Sequence, residues 1–289
     1  MQKVWTHLFH LGLMAGFASG AFAETIVGNP DGESFRTLLF RSGYHNDQTQ
    51  NLQDHSEYEL GLAAYYHKEY ATAIIHFQNA LDTNPFHADA CYYMAQCYLA
   101  LNDLNHAIAA FYRAVAIDPK HTESYFYLGN ACYLAGDYSQ ALQNYRQVEA
   151  QNPGHADLYN NIGLSYMNLG DYAQAELYMK KALINNPDNY NAHTSLAILF
   201  LNRKDYSASE YYIRRTIEIE PNNPTGYYNM ACLFSVQNRT DEALGWLEQA
   251  LAKGYKDWEH ISKDKDLDNI RDTQRFMNLR LQYDSNAGY

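Results

Sequence analysis

Tyr125-x-x-Leu128-Gly129-x-x-Cys132, then Gly136-Asp137-Tyr138, then Ala141-x-x-x-Tyr145, with Pro153 at the close: this stretch sets the frame for the whole 289-residue chain. It recurs one step downstream as Tyr159, Ile162-Gly163, Tyr166, Ala175, Met179 and Pro187. Upstream it recurs as Met94-Ala95, Tyr98, Ala107, Phe111, Ala114 and Pro119, and before that as Leu60-Gly61, Ala73, Phe77, Ala80 and Pro85. Pro85, Pro119, Pro153, Pro187 and Pro221 stand 34 residues apart. Six in-phase copies at one period are the mark of a repeat architecture, in which each unit is too small to bury its own apolar face and must lean on its neighbours.

Each copy divides into two helices. The break is written by Gly136-Asp137 before Tyr138, Gly170-Asp171 before Tyr172 and Lys204-Asp205 before Tyr206. Gly or a polar residue stops one helix and Asp caps the next. Gly61, Ala95, Gly129, Gly163, Ala197 and Ala231 share one slot of the first helix, and Ala73, Ala107, Ala141, Ala175 and Ala243 one slot of the second. A larger side chain at either slot would force the paired helices apart.

This spacing of large, Leu-Gly, aromatic, Ala, aromatic and Pro positions resembles the tetratricopeptide repeat. The resemblance spans about 54–255. It implies an all-α fold, a right-handed α-solenoid of stacked antiparallel helix pairs forming a tetratricopeptide superhelix, with units at 54–87, 88–121, 122–155, 156–189, 190–223 and 224–255. Ser209 and Thr216 replace two alanines, and Tyr255 stands where a sixth proline is due, so the array is expected to end there. Lys256 to Tyr289, with Trp258, Ile261, Leu267, Ile270, Phe276 and Leu279 among many charges, is expected to close the stack as a C-terminal helical cap.

At the other end, Met1 to Ala23 reads as a secretory signal peptide. Lys3 precedes an apolar stretch through Leu8, Leu11, Leu13, Met14 and Phe17, and Ala21-Phe22-Ala23 has the form of a cleavage site. His7, His10, Gly12 and Gly16 interrupt the stretch, which argues against a membrane span, so no span is expected in the mature chain. An exported protein follows, periplasmic or otherwise secreted. Residues 24–53 fit no repeat and read as a linker, with one short helix at Glu33 to Ser42 through Phe35, Leu38, Leu39 and Phe40 that could cover the open end of the stack.

The chain is 47% apolar with 33 acidic against 21 basic side chains, a net charge of −12. A packed protein is implied, and its acidity repels phosphate backbones, so no nucleic acid partner is expected. No nucleotide, hydrolase, metalloprotease or C-x-x-C motif occurs, and the repeats leave no room for a catalytic domain; neither enzymatic activity nor a cofactor is expected. His87, His121 and His155 also repeat at 34 and suggest a metal stripe. Helices pack about 8–10 Å apart, too far for one ion to be shared, so a polar residue starting each helix is the better reading, and no metal is expected. Cys91, Cys97, Cys132 and Cys232 lie within repeat helices and read as buried free thiols, with Cys97 to Cys132 the least implausible bridge.

Repeats of this family line a concave face with their first helices. The residues expected there are Tyr58, Leu62 and Tyr65 from the first unit and Tyr92, Tyr93 and Gln96 from the second. The third supplies Phe126, Tyr127, Asn130 and Tyr133, and the fourth Asn160, Asn161 and Leu164. Such an aromatic and amide-rich lining suits peptide recognition. The first helices of units one to four carry no Lys or Arg, so the basic clamp by which some relatives capture acidic tails is absent. Asp54, Glu57, Asp89, Glu123 and Asp157 are expected at their amino-terminal turns. A scaffold for a neutral or basic peptide segment of an envelope or secreted protein is the first expectation. Self-assembly through convex or end-to-end repeat contacts is the alternative, and the oligomeric state stays open.

Overall fold

A computed structural model describes residues 48–155 and 157–284. The expected leader and the helix expected at 33–42 lie outside these residues. Every regular element among the described residues is helical. They fall into two compact units, the first running to Ala175 and the second from Glu176.

The first unit holds α1 (Gln48–Tyr66), α2 (Tyr70–Thr83), α3 (Ala88–Ala100), α4 (Leu104–Ile117), α5 (Thr122–Leu134), α6 (Tyr138–Gln151) and α7 (Leu158–Asn168). Helix α8 (Tyr172–Asn185) carries the chain on. Helices α1 and α2, α3 and α4, and α5 and α6 form tight pairs, and the second helix of each pair packs on the first helix of the next. The small slots account for the closeness of the pairs. A β-carbon on Gly129 would lie 2.5 Å from Cε1 of Tyr145, and one on Gly61 would lie 2.6 Å from Cε1 of Phe77, both rings being fully buried. Helix α1 begins at Gln48, inside the stretch read as linker.

The turn inside each pair is set by one backbone conformation. Lys68, Asn102, Gly136, Gly170, Lys204 and Asn238, again 34 apart, all have positive φ, between 59° and 84°. Around Gly136, the N–H of Asp137 donates to the carbonyl of Cys132 at 2.9 Å and that of Gly136 to Tyr133 at 3.0 Å, the paired bonds of a Schellman stop. Asp103, Asp137 and Asp205 then accept from the third N–H of the following helix. A β-carbon in the left-handed region costs about 1–2 kcal/mol. Lys204→Gly is therefore expected to raise stability by about 0.5–1 kcal/mol, the rest being lost to a freer unfolded chain, and Gly136→Ala to lower it by about 1 kcal/mol. Chemical denaturation of both variants checks the opposite signs.

The second unit contains the rest of α8, then α9 (Tyr190–Asn202), α10 (Tyr206–Ile219), α11 (Pro224–Val236) and α12 (Thr240–Ala252). It ends in α13 (Trp258–Lys263), a single 3-10 turn at Lys265–Leu267, α14 (Asp268–Arg271) and α15 (Gln274–Tyr283). Trp258, Ile261, Leu267, Ile270, Phe276 and Leu279 join the buried cluster of α11 and α12, so this segment closes the pair with its own apolar face. Tyr228 stacks on Tyr255, ring centroids 4.3 Å apart and 3° from parallel, and its hydroxyl donates to Oδ2 of Asp264 at 2.5 Å. Asp264 is only 2% exposed. It also accepts the thiol of Cys232 at 3.6 Å and the backbone N–H of Asp266 at 3.0 Å, while its carbonyl accepts from Arg271 at 2.5 Å. One buried carboxylate thus ties the closing segment to α11.

All four cysteines are free and buried. Burial pushes the thiol of Cys97 up to about 12, that of Cys132 up to about 11, and those of Cys91 and Cys232 upward as well.

Candidate protein-binding face

The face expected to bind lies wholly in the first unit, on α1, α3, α5 and α7. Its rings touch one another across the repeats. Tyr58 meets His87 at 4.4 Å and Tyr93 at 6.3 Å between centroids, and Tyr65 meets Tyr93 at 5.4 Å. Tyr92 meets Tyr93 at 5.0 Å and Tyr127 at 5.8 Å, and Phe126 meets Tyr127 at 5.4 Å and His155 at 4.0 Å. Tyr58, Tyr65, Tyr92, Tyr93, Phe126 and Tyr127 thus form a run of ring contacts across the first three helix pairs.

Seven of the thirteen residues expected there are not available as a lining. Gln96, Phe126, Asn130, Tyr133, Asn160, Asn161 and Leu164 are each no more than 8% exposed. Several also commit their polar groups inside the fold. Gln96 donates to the hydroxyl of Tyr92 at 3.0 Å, and Asn168 donates to that of Tyr133 at 2.9 Å. Asn130 Oδ1 receives both the hydroxyl of Tyr145 at 2.7 Å and Nδ2 of Asn161 at 3.0 Å. The reason is helical spacing. Phe126, Asn130 and Tyr133 lie three before, one after and four after Gly129, so they flank the slot that faces the second helix. Tyr58, Leu62, Tyr65, Tyr92, Tyr93 and Tyr127 are half-buried and keep part of their surface outside.

The borders between repeats differ in chemistry. At the first two, a phenylalanine of the second helix stacks on a tyrosine of the next repeat: Phe77 on Tyr93 at 6.0 Å and 20°, and Phe111 on Tyr127 at 6.3 Å and 12°. At the third, Tyr145 stands in the phenylalanine position and Asn161 in the tyrosine position, and the stack becomes the hydrogen-bonded triad on Asn130. A buried hydroxyl needs a partner, which the two asparagines supply.

Electrostatically the face is negative. Hydrogen bonds from His76 and Asn79 hold the Glu57 carboxyl below its usual range, and a hydrogen bond from His121 does the same for Asp89. Burial pushes the phenols up, Tyr65 to about 12, and Tyr58, Tyr92 and Tyr93 beyond. These hydroxyls stay neutral donors at any physiological pH. Asp89 and Glu123 sit in the first turns of α3 and α5 as expected. Glu57 does not: α1 starts nine residues earlier, and Glu57 instead accepts from Nδ1 of His76 at 2.9 Å and from Asn79 at 3.0 Å, binding α1 to α2. No Lys or Arg lies in α1, α3, α5 or α7.

His87 and His121 start helices; His155 does not, because α7 begins at Leu158 after Asp157. Nδ1 of His87 accepts from the N–H of Ala90 at 3.2 Å, and that of His121 from Ser124 at 3.1 Å; Asn189 and Asn223 cap α9 and α11 from the same position. Among the described residues no group of His, Cys, Asp or Glu is arranged to hold a metal ion, and no helix is long and apolar enough to cross a membrane.

Helix pairs with this turn, this small slot and this border define an all-α repeat scaffold. Residues 58–122 and 160–224 match a family model described as tetratricopeptide repeat, and 129–170 match a second described as TPR repeat. The chain belongs to the tetratricopeptide repeat family. Its fold is similar to that of PilF from Pseudomonas aeruginosa, with a TM-score of 0.60 and 18% identity over 81% of this chain and 100% of that one. It is similar also to PilW, described as a widely conserved type IV pilus biogenesis factor, with a TM-score of 0.63 and 18% identity over 77% of this chain and 98% of that one. A tetratricopeptide repeat protein from Parabacteroides merdae gives 0.65 and 19%, over 80% and 86%. No curated protein matches the sequence. The fold is that of a protein–protein interaction scaffold, and proteins built on it are generally non-catalytic.

Proposed function

We propose that this chain is an exported, non-catalytic adaptor that holds an extended neutral or basic segment of an envelope or secreted protein against α1, α3 and α5. The observation that carries the reading is the half-buried tyrosine run Tyr58, Tyr65, Tyr92, Tyr93 and Tyr127 beside ionised Asp89 and exposed Glu123, with no cation on those helices. Rings fixed by their neighbours present apolar edges and neutral hydroxyls at little entropic cost, and a Lys or Arg of the guest would find both carboxylates and ring faces. The export half of the proposal rests on the Met1–Ala23 sequence. The likeness to PilW, a type IV pilus biogenesis factor, makes an envelope assembly pathway the setting we favour.

Panning an unstructured peptide library on the mature chain is expected to enrich peptides carrying Lys or Arg among apolar residues. The Asp89→Lys, Glu123→Lys double variant should weaken the selected peptide by about tenfold or more, a loss of about 1.4 kcal/mol, and the affinity of the parent should fall with salt. Enrichment of acidic peptides, or affinity indifferent to both charge reversals, would sink the reading. Alanine at Phe126 is a poor probe, because truncating so buried an aromatic costs about 3–5 kcal/mol of stability.

A further inference from the structure

The first helix of the array has an uncovered side. Ser56, Leu60 and Ala63 of α1 are exposed, Leu60 by 47%. In the following repeats the residues at these positions are sealed: Ala90, Ser124 and Leu158 at 0%, Met94, Leu128 and Ile162 at 7%, 0% and 2%, and Cys97, Ala131 and Ser165 at 0%. What seals them is known from the fold, since α3, α5 and α7 are each covered by the second helix of the preceding repeat. Among the described residues no such helix precedes α1. The stripe is thus a stacking surface shaped for a helix.

We infer that this surface is covered by the chain's own residues 33–42, docked as a short helix on the Ser56–Leu60–Ala63 stripe. Four features favour this occupant over a second copy. Phe35, Leu38 and Leu39 follow the i, i+3, i+4 spacing of one helical face. Arg36 and Arg41 flank them, in a chain with net charge −12, and Glu59, with its side chain 48% exposed, lies beside Leu60. Only residues 43–47 separate the segment from α1, a tether of about 17 Å when extended. Leu60 is about 18 Å along α1 from Gln48, so an antiparallel helix of ten residues can reach the stripe. So short a tether also gives a local concentration in the millimolar range, which a second molecule does not match. Finally, the chain already closes the last pair with a non-repeat segment of its own, α13 to α15.

The test uses the full mature chain. Hydrogen exchange of the 56–66 amides in the parent is compared with that in a Leu38→Glu, Leu39→Glu variant, with sedimentation of both across a wide concentration range. The proposal expects a monomer whose 56–66 amides exchange about tenfold or more faster in the variant. Equal exchange in the two proteins overturns it. So does protection that rises with protein concentration alongside a dimer, which would assign the surface to a second copy. A Leu60→Cys variant gives an independent reading, because the four native thiols are buried and only the new one can react. Slow labelling that becomes fast when Leu38→Glu and Leu39→Glu are added supports the proposal, and fast labelling in both contradicts it. Peptide binding to α3 and α5 is measured separately, so either proposal can fail alone.

Discussion

Asn130→Ala is expected to lower unfolding stability by about 2–5 kcal/mol, the sum of two buried donors left without an acceptor. The hydroxyl of Tyr145, on a residue with no exposed surface, and the amide of Asn161, on a residue 6% exposed, both end on the same oxygen of Asn130. Tyr145→Phe should cost only about 0.5–1.5 kcal/mol, since Asn130 would still accept from Asn161. The size of the first loss is the diagnostic, because packing alone gives the same order with a smaller gap. A further variant makes the argument constructive. Asn130→Gln, Tyr145→Phe and Asn161→Tyr together convert the third border to the residues of the second, Gln96, Phe111 and Tyr127, and should recover most of what Asn130→Ala loses. Denaturant midpoints of these proteins and of the Asn130→Gln and Asn161→Tyr single variants decide; additivity of the three substitutions would reject the triad as a unit.

Asp264→Ala is expected to cost about 2–5 kcal/mol and to free the closing segment before the rest of the second unit unfolds. It removes the acceptor of the fully buried Tyr228 hydroxyl and of the Cys232 thiol at one stroke. Proteolysis around Trp258 to Tyr283 reads the local release, and resistance equal to the parent would refute it. Its neighbour adds a pH dependence. Burial, then the charges of Asp264 and Asp268, push the Asp266 carboxyl from 3.8 up to about 7. A carboxyl raised in the folded state stabilises the fold while protonated. Its contribution is complete below pH 3.8 and is lost as pH rises through 7. The closing segment should therefore hold more weakly at pH 8 than at pH 5, and Asp266→Asn should flatten that part of the profile.

The period, the small slots and the helix starts were legible because they are local. A 34-residue spacing needs no coordinates, Gly61 and Gly129 announce close approach, and Asp137 or His121 before a helical run announces a cap. The left-handed turns were only half legible: Gly136 and Gly170 are obvious, whereas Lys68, Asn102, Lys204 and Asn238 adopt the same φ through register alone. The candidate face was least legible. Phe126, Asn130 and Tyr133 lie inside because Gly129 fixes which side of α5 faces Tyr145. The triad on Asn130 joins three helices, so no pattern within one helix could disclose it. Glu57 lies beyond the first turn for a simpler cause, the early start of α1 at Gln48.

The sealed thiols bear on how such a chain could mature. A sulfur that donates no thiolate at neutral pH neither attacks a disulfide nor reacts readily with peroxide, so the finished fold is indifferent to whether its surroundings are oxidising or reducing. The hazard is confined to the interval before the helices stack, when Cys91 and Cys97 lie only six residues apart on an open chain. Once stacked, no bridge has to be made, shuffled or repaired.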